Sequence, residues 1–204
     1  RMRRRDTPND TLFARGGASG PSVGQWALKA PTVAEPAAAD MVGAWSITKG
    51  SADVVVAVLD TGARFDHTDL VGKLLPGHDM VSDTAIANDG DARDADASDP
   101  GDWVTQAEAA SATFAGCDAA DSSWHGTQVA GIIGAATNNA LGMAGAGWNV
   151  QVLPVRVLGK CYGDSSDIIA AMRWAAGLTV DGVPANPHPA KVLNLSLGGD
   201  GTCS

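Results

Sequence analysis

Three stretches of the chain are apolar almost without interruption. Residues 53–60, DVVVAVLD, form a β-branched run closed by Thr61-Gly62. Such a run predicts a strand buried on both faces, as in a parallel sheet. Residues 150–158, VQVLPVRVL, predict a second strand, although Pro154 removes one ladder donor. Residues 191–197, KVLNLSL, predict a third, ended by Gly198-Gly199. Between them the apolar period changes. Val129, Ile132, Ile133 and Ala136 recur at helical spacing after His125, with Asn138-Asn139 as the stop. Ser165 or Ser166 caps a second helix carrying Ile168, Ile169, Met172, Trp174 and Ala175, and Gly177 ends it. Glu35–Trp45 predicts a short amphipathic helix through Met41, Val42 and Trp45. Strands alternating with helices give an α/β protein with a mostly parallel sheet.

The polar intervals set the limits of this core. Residues 1–24 are rich in Gly, Arg and Pro without periodicity, which fits a surface-wrapped or mobile lead-in. Residues 83–102 contain almost no large apolar side chain and are expected as an exposed insertion. Residues 181–190 form a Pro-rich loop. A chain of 204 residues with 25 Gly and 10 Pro is long enough for one substantial, loop-rich core. The net charge of −9 disfavours nucleic acid and anionic membranes as partners. No apolar run approaches the roughly 18–20 residues of a membrane helix.

Two residues carry candidate chemistry. Asp60 lies at the carboxyl end of a buried strand, where open α/β sheets place ligands. His125 opens a helix whose first turns contain Gly126, Ala130, Gly131 and Gly134. Each Gly costs about 1 kcal/mol of helix propensity relative to Ala, which points to close approach by another backbone. Taken singly, a strand-end Asp also serves as a loop cap and a His as a helix terminus.

Together with a third segment they resemble a known family. VAVLDTG at 56–62, HGTQVAG at 125–131 and NLSLGG at 194–199 are similar to motifs of the subtilisin-like serine proteases (subtilases), in that family's order. The resemblance covers roughly residues 21–204 and implies a three-layer, subtilisin-like α/β fold, incomplete in this chain. It makes Asp60 the acid and His125 the general base of an Asp-His-Ser triad. Gln128 stands where the family commonly has a second His. Ser196, Leu197, Gly198 and Gly199 map onto the segment that pairs with the substrate backbone. A strand ending in two glycines also leaves an open edge for an extended peptide. Tyr162 and Gly163, within GKCYG, are expected on the second edge, with a plain loop as the alternative.

The family's nucleophile motif, resembling Gly-Thr-Ser-Met-Ala, does not occur, and Ser196 maps onto the substrate strand. The serine is therefore expected in a separate C-terminal remainder of the peptidase domain, a partner without which the chain is inactive. Residues 25–204 are read as the N-terminal part of that domain. Residues 1–24, opening RMRRR, are read as a propeptide remnant or N-terminal extension of a zymogen. The rival reading is a non-catalytic pseudoprotease that binds peptides between the two edges.

The three cysteines lack zinc-like spacing, which leaves buried thiols or disulfides. In secreted bacterial subtilases that the chain resembles, cysteines at the places of Cys117 and Cys161 bridge, leaving Cys203 over. Calcium is the expected cofactor. Asp89, Asp91, Asp94, Asp96 and Asp99 supply hard oxygen ligands at a spacing that calcium accepts, and a solvated acidic loop is the alternative. Arg93 at a ligand position rules out an EF-hand. The resemblance adds Gln25, Asp69 and Asn139 as side-chain ligands of a second site. His67, His78 and His188 are read as loop or surface residues. Peptide or protein substrate, secretion and an extracellular location complete the expectation.

Overall fold

The computed structural model describes residues 7–14 and 24–199. The helices are α1 (Thr11–Ala14), α2 (Met41–Trp45), α3 (Thr84–Ala87), α4 (Gln106–Ala109), α5 (His125–Gly134) and α6 (Ser165–Ala175). The strands are β1 (Val55–Asp60), β2 (His78–Asp79), β3 (Gln151–Arg156) and β4 (Val192–Asn194), in sheet order β2-β3-β1-β4. The pairs β1–β4 and β2–β3 are parallel, with Val56 opposite Val192 and His78 opposite Val155. All six residues of β1 are buried, in keeping with its apolar run from Val55 to Leu59.

The described parts of Arg1–Val54, Phe65–Leu74 and Ala130–Val152 form one compact unit, and those of Val55–Arg64, Leu75–Val129 and Leu153–Ser204 form another. The core of the first gathers Phe13, Trp45 and Ala144, with Trp148 packed 5.2 Å from Trp45 between ring centroids. The lead-in is thus only partly peripheral: Phe13 and Asp10 are buried. The core of the second joins β1 and β3 to Ala171, Trp174 and Ala175 of α6. Gly177, at φ 82°, ends α6 as expected, and the Leu178 amide returns to the Arg173 carbonyl.

Four expectations change. The helix predicted over Glu35–Trp45 is confined to α2, because Asp40 takes a left-handed conformation (φ 49°) and caps the Gly43 amide. The 83–102 segment is not simply exposed, since α3 buries Ile86 and Ala87 against Val81 and Phe114. His78 is no surface residue: it lies in β2, 5% exposed, with its ring 5.3 Å from that of Trp174. The buried face of α5 also differs, for Ile132 is 56% exposed while Ala130 is fully buried. The small residues face inward because a Cβ on Gly126 would strike the Gly62 carbonyl, and one on Gly134 the Val152 side chain.

Candidate active site

β1 ends in Asp60, whose side chain is fully buried. The turn that follows needs Gly62 at φ 98°, a conformation few L-residues adopt, and a Cβ there would meet the Ala97 carbonyl. α5 starts at His125, directly after Trp124 at φ 51°. The Arg64 guanidinium stacks over the Trp124 ring at 5.1 Å. The His125 Nδ1 lies 2.8 and 2.9 Å from the two oxygens of Asp60. The imidazole is 44% exposed. A carboxylate fixed on Nδ1 selects the tautomer with Nδ1–H and leaves Nε2 as the basic nitrogen. Gln128 turns away from this chemistry and donates its amide to the Ser123 carbonyl.

A second layer holds the pair. Asp60 Oδ1 accepts from the Thr61 amide at 2.8 Å. The Thr61 hydroxyl donates to Asp99 at 2.6 Å and accepts from the Gly126 amide at 3.0 Å. Burial pushes the Asp99 carboxyl above the ordinary range, with the Thr61 hydrogen bond pulling the other way. Thr61 was legible in the DTG motif, whereas its link to Asp99 crosses 38 positions and leaves no local signal.

His125 opens onto a cavity of about 640 Å³ that also borders Thr61, Asp102, Ser123, Leu158, Tyr162, Gly163, Ser165, Ile168 and the Ser196–Gly199 segment. All the expected substrate-edge residues therefore meet there, joined by Asp102, Ser123, Ser165 and Ile168. The Cys117–Cys161 disulfide fastens the Tyr162 loop, with the two Cα atoms 6.0 Å apart. Lys160 of that loop pairs with Glu108 and lies over the Trp103 ring at 4.9 Å. The Lys160 pairing and the Thr105 capping box hold the Glu108 carboxyl down at about 2. Cys203 lies outside the described residues.

The expected calcium ligands divide. Asp89, Asp91, Asp94 and Asp96 line a common cavity of about 220 Å³. Hydrogen bonds from Ser98 hold the Asp96 carboxyl below its ordinary range. Asp99 is not on that cavity; it serves Thr61 and the Gly101 amide. Arg156, only 1% exposed, reaches Asp79, Asp89 and the Ala87 carbonyl. Desolvation raises the Asp79 carboxyl to about 7 despite that guanidinium. At the second proposed site, Asp69 accepts from the Asn139 side chain at 2.9 Å and the Met143 amide at 2.8 Å. Gln25 instead exchanges both amide atoms with the Ala144 backbone. Asp10, which the sequence did not single out, is fully buried and accepts from the Asn138 amide in the same loop. Among the described residues, no group of three or more His, Cys, Asp and Glu side chains is arranged to hold a metal ion.

Known proteins share this architecture. The chain is 48% identical over 198 residues to the extracellular protease of Xanthomonas campestris pv. campestris, covering 97% of this chain and 31% of that protein. It is 50% identical over 151 residues to the extracellular basic protease of Dichelobacter nodosus, covering 74% and 25% respectively. A solved protease structure from Pseudoalteromonas arctica superimposes with a TM-score of 0.82 at 47% identity, over 98% of this chain and 53% of that one. The chain thus spans about a third or less of these two curated relatives, and its fold is subtilisin-like. Residues 51–204 match the Subtilase family, and the chain belongs to it.

Proposed function

We propose that this chain supplies the acid, the base and much of the substrate cleft of an extracellular serine endopeptidase. The observation that carries the reading is the half-exposed His125, held through Nδ1 by buried Asp60 beside the cleft. In the reaction, His125 Nε2 takes the proton of a serine hydroxyl as that oxygen attacks the scissile carbonyl, then gives it to the leaving amine. Asp60 keeps the imidazole in the productive tautomer and stabilises the imidazolium. The nucleophilic serine is assigned to a C-terminal remainder of the peptidase domain. An extended substrate lies along Ser196–Gly199 and the Tyr162–Gly163 edge.

An extracellular setting is supported by the two relatives, both extracellular proteases, and by the Cys117–Cys161 bond, a kind of link that persists in oxidising compartments. No helix of the described residues is long and apolar enough to cross a membrane. Calcium, if bound, would draw on Asp89, Asp91, Asp94 and Asp96 around their common cavity, which would have to close up on the ion, whereas Gln25, Asp69 and Asn139 are already satisfied by protein hydrogen bonds. Calcium there would neutralise charge and stiffen the loop, with no part in the chemical step.

The test is a serine-directed phosphonate applied to the full-length protein. Labelling of one serine, lost on His125→Ala, is expected. Asp60→Asn should lower kcat by about 10⁴. A folded full-length protein that takes no label is not a serine protease, and peptide binding without labelling would favour the pseudoprotease.

A further inference from the structure

We propose that Asp102 selects a cationic substrate side chain lying beside His125. The inference rests on the peptidase reading and names part of the substrate that reading leaves open. Among the described residues, Asp102 is, apart from His125 and the phenol of Tyr162, the one ionisable acid or base bordering the cleft, and no described Lys or Arg borders it. Lys160, the cation of the facing loop, is withdrawn: its side chain is 6% exposed and pairs with Glu108.

Asp102 is also fixed in place. One carboxylate oxygen accepts from the Ser123 amide at 2.6 Å and the other from the Ser123 hydroxyl at 2.7 Å. That hydroxyl oxygen in turn accepts from the His125 amide at 3.2 Å. The carboxylate thus stands a fixed short path from the base, so the side chain it meets belongs to a residue near the scissile bond. A carboxylate has about four acceptor sites, so each oxygen retains capacity for an ammonium or guanidinium donor. Holding it in advance removes an ordering cost from binding. A bound peptide displaces water from the cleft and strengthens the attraction.

The experiment uses the full-length protein and peptides that differ only by Lys, norleucine or Glu at each position flanking the cleavage site. At one position, kcat/KM for Lys should exceed that for norleucine on the order of fivefold, with Glu lowest. Raising salt should shrink this ratio in the wild-type protein, which needs no variant. Asp102→Asn should bring the ratio towards one, and Asp102→Lys should invert it in favour of Glu. Cleavage without a Lys preference, or a preference that survives in both variants, overturns the role of Asp102 and leaves the peptidase reading standing. No cleavage together with no phosphonate labelling overturns both.

Discussion

The Thr61 hydroxyl sits between Asp99 and the first turn of α5, donating to one and accepting from the other. It ties the strand that ends in Asp60 to the helix that opens on His125. Thr61→Val keeps the shape and removes the bridge, leaving the Asp99 carboxyl and the Gly126 amide short of a partner. A loss of about 1–3 kcal/mol in denaturant unfolding of the full-length protein is expected. Thr61→Ser should recover most of it. An unchanged midpoint for the valine variant would show the bridge to be energetically idle.

Gly126→Ala tests the close approach behind His125. The added methyl would meet the Gly62 carbonyl and the Asp60 Cβ. Backbone offers no rotamer through which to relax, so overpacking should cost about 1–3 kcal/mol. The low-field proton NMR signal of His125 Nδ1–H should shift or broaden as the bond to Asp60 lengthens. A variant with wild-type stability and an unmoved signal would count against the packing account.

How much of this was legible follows from where each signal lies. β1 and its terminal Asp60 were readable because a β-branched run closed by Thr-Gly has few other uses. α6 was readable through to its stop at Gly177, but not at its start, where Asp164 and neither Ser165 nor Ser166 is the cap residue and no side chain makes a capping bond. β2 was not, because a strand of two residues has no period, and its His78 looks polar although Trp174 covers it. The buried face of α5 is not legible from side-chain bulk, because backbone approach at Gly126 puts the small residues inside. Asp99 read as one more acid in an acidic run. Only the fold separates it from Asp96 and brings it to Thr61, and the same holds for Asp102 and Ser123.

The disulfide should matter to stability. Cys117 and Cys161 stand 44 positions apart, and loop-closure reasoning gives about 2–4 kcal/mol for such a link. The Cys117→Ser, Cys161→Ser double variant should unfold at correspondingly lower denaturant. Since Tyr162 follows Cys161 into the cleft, KM for peptides should rise more than kcat falls. Equal stability of oxidised and reduced protein would contradict this.

Glu108 supplies a pH dependence with a defined sign. Its carboxyl is held at about 2 in the folded protein against an ordinary 4.5. Above 4.5 both states are ionised and the Lys160 pairing contributes in full. Between 4.5 and 2 the unfolded chain protonates first, so the contribution is lost as pH falls. The stability difference between wild type and Glu108→Gln should therefore be largest near neutrality and vanish towards pH 2. A difference that grows on acidification would reverse the assignment.

The sequence separation of the Arg156 contacts bears on the order in which the protein assembles. The partners Asp79 and Asp89 lie 77 and 67 positions earlier in the chain, so their anchor does not exist until β3 has docked beside β2. Contacts of such sequence separation are slow to form, because loop closure precedes any reward. The acidic segment is thus expected to lock last, and to be the part most open to proteolysis during folding. Pulsed hydrogen exchange during refolding can check this at the Asp94 amide, which donates to the Asp79 carbonyl, and the Met80 amide, which donates to the Arg156 carbonyl. Asp94 should be protected no earlier than Met80. The opposite order would make the acidic loop a nucleus for the sheet and not its final clasp.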